Sequence, residues 1–172
     1  LVGHGTNLLA GTPEFAEAPR RVAIVATGGY GRRELNLYSD VDLLFLLGEE
    51  PTPALENFVR SFVYPLFNVK IDLGYALKTI PQVLGEVGHD VDLTTSLVGA
   101  RCLWGEVSLW RELETKVRLR LTAHFPDLLV PTLLERTEAR HRKYSNTVNL
   151  LEPNVKESPG SLRDLHLVLW LT

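Results

Sequence analysis

The 172-residue sequence contains no methionine and a single cysteine, Cys102, and its first residue is Leu1. The missing methionine, together with an apolar run over Leu165–Leu171 that stops like an interrupted helix, predicts a piece of a longer protein. One cysteine permits neither an internal disulfide nor a cysteine-based zinc site. Without an even cysteine set there is no sign of a secreted scaffold, and the expected location is cytoplasmic. No apolar run approaches the roughly 18–20 residues of a membrane span; the longest, Val41–Leu47, is strand-sized. Neither sign of charge dominates, with a net charge of −3. A dedicated nucleic-acid binder would carry a basic stripe, so no nucleic-acid or membrane partner is expected. The glycine and proline contents are ordinary for a globular chain. A chain of this length fits one domain, or one domain with a helical appendage. It can bury roughly 68–70% of its unfolded surface without help from a metal.

What is present falls into two halves. Residues 1–20, with Gly3, Gly5, Gly11, Pro13 and Pro19, read as a weakly ordered lead-in. Arg21–Thr27 is a β-branched apolar run ended by glycines, hence a buried strand. Gly28–Gly31 is a tight turn, and Arg32–Ser39 a short polar connection with room for one helical turn. Val41–Leu47 is a second buried strand. Pro53–Phe67 follows helical spacing, with Leu55, Phe58, Val59, Phe62 and Val63 on one side. Val69–Leu77 alternates like a third strand, with Val69, Ile71 and Leu73 on one face. Beyond Thr79 the pattern turns helical, near 80–87, 92–104, 106–121 and 130–148, with breaks at Gly88, Gly105 and Pro126 and Asp92 as an N-cap. Residues 152–161 form a loop, and a last helix begins near Ser161 or Leu162. Strands first and helices later indicate an α+β fold. The expected organisation is the lead-in, a core over 21–90, and a helical extension over 91–172 that includes the 152–172 loop and helix.

Three features of the first half bear on chemistry. A strand runs into Gly28-Gly29 and then Tyr30-Gly31-Arg32-Arg33. Glycines let backbone amides approach an anion, and arginines add charge-assisted contacts to phosphate oxygens. The spacing is neither a Walker loop nor a dinucleotide fingerprint. Asp40 and Asp42 stand two apart at the start of a strand, which places both carboxylates on one face. Such a pair raises its own pKa values unless a cation intervenes, and an all-oxygen donor set suits Mg²⁺ or Mn²⁺. A bare DxD is more often a solvated turn; the glycine–arginine turn just upstream tips the reading toward metal binding. Asp72, out of phase with its apolar neighbours, would complete a site for two metal ions.

The stretch from Gly28 to Asp42, GGYGRRELNLYSDVD, resembles the signature of polymerase-β-type nucleotidyltransferases: a Gly-Gly turn, a DxD pair and a later carboxylate. More narrowly, it is similar to the N-terminal transferase domain of the bacterial PII uridylyltransferase/uridylyl-removing family. Ile71–Thr79 with Asp92–Thr95, and Asn149–His166, resemble further motifs of that family. The resemblance covers about residues 21–172. It implies a small mixed sheet with flanking helices, followed by a helical extension. It also implies UTP as donor, Mg²⁺ or Mn²⁺ as cofactor, and a tyrosine hydroxyl of the PII signal protein as acceptor, in nitrogen regulation. Asp40, Asp42 and Asp72 would be the catalytic and metal-binding residues; Gly28, Gly29, Arg32, Ser39, Lys156 and Arg163 would hold the nucleotide. In the family, hydrolase domains of the HD type and sensory domains follow. The HD dipeptide here, His89-Asp90, lacks the partners such a site needs. Gly99 stands where an acidic residue is expected, Ser161 replaces a second glycine, and Asn154 an aspartate. Physically, Gly160 at a helix start, with Lys156 and Arg163, suits a lid over an anion. Adenylyl transfer to another protein and a non-catalytic nucleotide sensor are the alternatives. The remaining histidines have no metal-ligand spacing, Arg136–Lys143 reads as a solvated helix face, and Trp104, Trp110 and Trp170 read as core.

Overall fold

The computed structural model describes residues 22–35, 39–148, 152 and 154–171, without the side chains of 123–128 and 171. The expected lead-in over 1–20 and the middle of the 32–39 connection lie outside that range. Among the described residues the elements run β1 (Val22–Ala26), α1 (Gly28–Gly31), β2 (Val41–Leu47), α2 (Pro53–Asn68), β3 (Leu73–Thr79), α3 (Ile80–Glu86), α4 (Val91–Leu97), β4 (Arg101–Gly105), α5 (Val107–Leu128), α6 (Val130–Lys143) and α7 (Leu162–Leu171). The four strands form one mixed sheet in the order β3-β2-β1-β4. β1 is antiparallel to both β2 and β4, while β2 and β3 are parallel and joined through α2. The α+β class expected from the sequence is what the chain adopts.

The sheet is buried on both faces, because β1 and β2 are apolar at nearly every position. Ile24, Leu43, Phe45 and Leu47 face α2, whose Leu55, Phe58, Val59, Phe62 and Val63 form the stripe read from the sequence. Phe45 meets Phe62 edge-to-face, with ring centroids 5.7 Å apart. Ala23, Val25, Leu44 and Leu46 face the other way, against Val83 of α3, Leu97 of α4, and Trp110, Leu113 and Val117 of α5. The helix starts are set by side chains. Thr52 accepts from Leu55 N–H ahead of Pro53, and Thr79 with Gln82 forms a capping box that turns β3 directly into α3.

Three expectations are corrected. The third strand starts at Leu73 rather than Val69. The helix α2 runs to Asn68, Val69 caps it with 66% of its surface exposed, and the backbone reverses through Lys70 at φ 59°. The alternation over 69–73 therefore spans a cap and a reversal. The stretch 92–104 divides into α4 and β4, because glycine at 99 with φ 74° ends the helix and lets the chain return to the sheet. The N-cap of α4 is Asp90, which accepts from Leu93 N–H at 3.0 Å; Asp92 lies within the first turn.

Burial of one face of α5 makes a direct prediction. Leu113, fully buried against the sheet, should cost about 2–5 kcal/mol on replacement by alanine, whereas Leu119→Ala, at a site 66% exposed, should cost less than about 0.5 kcal/mol. Urea unfolding of the two variants measures the contrast.

Candidate active site

The site begins where β1 ends. Thr27, buried, donates its N–H to the Asp42 carbonyl at 3.0 Å and so extends the β1–β2 ladder by one step. The chain then turns at Gly28, φ 56°, into the single helical turn α1. β4 supports that turn from behind. Arg101 donates through Nε to the Gly31 carbonyl and through Nη2 to the Tyr30 carbonyl, each at 3.2 Å, and lies 5.0 Å over the Tyr30 ring.

Opposite the turn, parallel pairing matches Val41 with Leu73 and Asp42 with Gly74. Val41 N–H also bonds to the Asp72 carbonyl at 2.8 Å, so the register continues back to Asp40 and Asp72. Paired residues in a parallel ladder share a face, and alternate residues on one strand do too. Asp40, Asp42 and Asp72 thus belong to the same face, although Asp72 precedes β3 rather than lying in it. The Asp42 carboxylate is wedged between two glycines. A β-carbon on Gly28 would stand 2.7 Å from Asp42 Oδ2, and one on Gly74 would stand 2.7 Å from Oδ1. Burial pushes the Asp42 pKa up, the negative charges of Asp40 and Asp72 add to the rise, and Lys156 and Arg32 oppose it.

A cleft of about 900 Å³ opens over this face. Gly28, Gly29, Arg32, Ser39, Asp40, Asp42, Lys156 and Arg163 all line it; Asp72 does not, and acts on it through its charge at Asp42. Among the described residues no three His, Cys, Asp or Glu side chains converge tightly enough to cage a metal ion. Three hard carboxylates on one face, with the central one electrostatically strained by the others, nevertheless suit Mg²⁺ or Mn²⁺. Magnesium in particular is held by one or two carboxylates and completed by water and substrate phosphates rather than by an all-protein cage.

The cations arrive by different routes. Arg32 donates through Nε to Glu34 at 2.8 Å, and its stem lies against Gly99, where a β-carbon would come within 2.7 Å of Arg32 Cγ. The glycine at 99 thus makes room for the arginine. Lys156 sits in a loop knotted by its own side chains. Asn154 Oδ1 accepts from Lys156 and Glu157 N–H at 3.0 and 2.9 Å, and Ser161 Oγ donates to the Lys156 carbonyl at 2.8 Å. The asparagine and serine that depart from the family pattern therefore hold the loop shape. Arg163 faces the cleft while paired with Glu157 at 2.9 Å.

The family model described as GlnD PII-uridylyltransferase matches residues 130–172, which span α6, the loop and α7. A bifunctional uridylyltransferase/uridylyl-removing enzyme of Ralstonia nicotianae is 42% identical over 154 residues, covering 90% of this chain and 18% of the relative. Enzymes with the same description from Cupriavidus metallidurans and Rhodospirillum rubrum are 40% and 38% identical, over 91% and 88% of this chain and 18% and 16% of theirs. Over about nine-tenths of its length the chain is similar to these GlnD uridylyltransferase/uridylyl-removing enzymes. It spans less than a fifth of the length of these GlnD relatives. A solved toxin–antitoxin structure with AMP-PNP overlays at a TM-score of 0.39 with 12% identity, covering 82% of this chain and 95% of that one.

The Arg136–Lys143 segment corrects a sequence reading, for it is more than a solvated face. Arg140 Nη2 and His141 Nε2 both hold the Asp164 carboxylate, the histidine at 3.0 Å, and Arg140 Nη1 donates to the Glu157 carbonyl at 2.8 Å. Gly160 N–H is a third partner of the Asp164 carboxylate, at 2.6 Å. This pins the Lys156 loop to α6. Arg136 pairs with Asp92 at 2.7 Å in the open. Sequence reasoning also passed over Glu34, His166, Trp170, Thr95 and Ser96, all of which line the cleft. The signal for His166 and Trp170 was their i,i+4 spacing on α7; Trp104 and Trp110 are packed into the core as expected.

Two carboxylates should show opposite pH behaviour. Asp42 has a raised folded-state pKa, so its contribution to stability is largest in acid and is lost as pH rises through that value. Asp42→Asn, which mimics the neutral form, should therefore melt at a higher temperature than the parent at pH 7, with the gap closing in acid. Burial raises the Asp164 pKa, but hydrogen bonds from Arg140, Gly160 and His141 outweigh it and hold the group low. Its contribution is present above the ordinary carboxylate range and lost as pH falls through the lowered value. Asp164→Asn should destabilise by about 1–3 kcal/mol at neutral pH and by progressively less in acid. Thermal unfolding from pH 3 to 8 reads both trends.

Proposed function

We propose that the cleft is a nucleotidyltransferase active site that moves UMP from UTP to a tyrosine hydroxyl of the PII signal protein, in a reaction that needs Mg²⁺ or Mn²⁺ and serves nitrogen regulation. The observation that carries this reading is the convergence on Asp42. Two further carboxylates share its sheet face, and its carboxylate is seated between Gly28 and Gly74 with Lys156 and Arg32 acting on it. The family description names PII, and the relatives are named as uridylyltransferases. The expected setting is the cytoplasm; among the described residues no helix is long and apolar enough to cross a membrane.

The chemistry follows from charge. The donor triphosphate is held by the Gly28-Gly29 turn, Ser39, Arg32, Lys156 and Arg163. Asp40, Asp42 and Asp72 would hold two metal ions, which would supply neutralisation of phosphate charge and a lowered pKa for the attacking hydroxyl. A phenol with a pKa of about 10 is protonated at neutral pH, so its proton must be taken up as it attacks, and Asp72, on the same sheet face as Asp40 and Asp42, is the acceptor. The tyrosine oxygen bonds to the α-phosphorus in line with the leaving group. The bond from that phosphorus to its bridging oxygen breaks, and pyrophosphate departs. Most of the acceleration comes from positioning and from charge stabilisation.

Asp40→Asn and Asp42→Asn should each lower pyrophosphate release with PII, UTP and Mg²⁺ by roughly a hundredfold or more, with the fold intact by circular dichroism. Lys156→Ala should raise KM for UTP roughly tenfold or more. Gly99→Asp should do the same, because a side chain there displaces Arg32. Near parental turnover in either aspartate variant would overturn the metal assignment. Preference for labelled ATP over UTP would overturn the choice of nucleotide, and UTP binding without transfer would make the site a sensor.

A further inference from the structure

The cleft is larger than its phosphate end. Besides the glycine turn and the carboxylates, its lining includes Asp92, Thr95 and Ser96 of α4 and His166 and Trp170 of α7. A volume of about 900 Å³ is of the size that encloses a whole small-molecule ligand.

The α7 wall is a built surface. His166 and Trp170, one helical turn apart, stack with ring centroids 5.8 Å apart and an interplanar angle of 26°. His166 is fixed by an Nε2 contact to Glu34 Oε2 at 3.0 Å, and Glu34 in turn holds Arg32. Trp170 is half-buried against Val91, Leu129 and Leu133 and also borders a second cavity of about 250 Å³, so the indole is a partition with the cleft on one side. Both rings are held before any ligand arrives, which lowers the entropic cost of stacking on them. The α4 part of the lining complements this. Ser96 Oγ donates to the Leu93 carbonyl and Thr95 Oγ1 to the Val91 carbonyl, both at 2.8 Å. With those protons committed, the hydroxyl oxygens offer lone pairs, which suits a base edge carrying an N–H.

We infer that the stacked pair His166 and Trp170 is the platform for the nucleobase, and that Glu34 ties this platform to the phosphate-binding Arg32. The assignment rests on reading the cleft as a nucleotide site and adds the residues that recognise the nucleoside half of the donor. Stacking on an aromatic ring is strong and tolerant of base identity, so the platform supplies affinity for the base and α4 reads its edge.

The probes that separate this from the parent reading are Mg²⁺–UTP and Mg²⁺–tripolyphosphate, the second of which has no base. By calorimetry, Trp170→Ala should weaken UTP by about tenfold or more while tripolyphosphate changes by less than about twofold, and Trp170→Phe should restore most of the UTP affinity. In the unaltered chain, the Trp170 indole N–H resonance, assigned from the phenylalanine variant, should shift with UTP and stay in place with tripolyphosphate. This keeps the test decisive even where the alanine variant fails to fold. An unmoved resonance, or equal weakening of both ligands, would overturn the platform while leaving the nucleotide site standing. Binding of neither ligand to the parent chain would overturn the site and the platform together.

Discussion

A carboxylate pressed into a sheet face between two other carboxylates is the constraint around which this structure is arranged. Asp42 is flanked by Asp40 on its own strand and by Asp72 across the parallel ladder, and burial compounds the repulsion. Unopposed, these effects all push its pKa up. Here Lys156 and Arg32 oppose that rise, one from a loop far along the chain and the other from the turn after β1. The balance still leaves the Asp42 pKa raised, so concentrating these charges on one face costs stability at neutral pH.

Holding those charges so close requires space that side chains would fill. Gly28 and Gly74 bracket the Asp42 carboxylate from the turn and from the edge strand, and Gly99 opens room for the Arg32 stem. Gly28 and Gly99 also adopt left-handed backbone angles that an L-residue reaches only under strain. The turn itself is supported by Arg101 on β4, so the fourth strand does more than widen the sheet.

The second half of the chain supplies the other side of the cleft. Asp164, held by Arg140, His141 and Gly160 N–H, fixes the start of α7 to α6, while Asn154 and Ser161 knot the loop that presents Lys156. Lys156, which lowers the Asp42 pKa from across the cleft, is therefore positioned by a network whose members lie outside the sheet. The match of the GlnD family model to residues 130–172 falls on this anchoring segment.

The sequence by itself determined the local and periodic features. The apolar runs of β1 and β2, the buried stripe of α2, the glycine turn and the DxD pair follow from short-range rules of alternation, helical spacing and backbone freedom. It also marked Gly28, Gly29, Arg32, Ser39, Asp40, Asp42, Lys156 and Arg163, which come together at one cleft. Only the tertiary structure decided what depends on distant neighbours. It moved the start of β3 past Lys70, turned part of an expected helix into β4, and converted a basic stretch into the anchor for Asp164. It brought Trp170 and His166 to the cleft wall and set the glycine at 99 against Arg32. The reason is physical: periodicity reports which face of an element is apolar, whereas pairing register, ion-pair partners and close approach arise only when elements separated in sequence pack against one another.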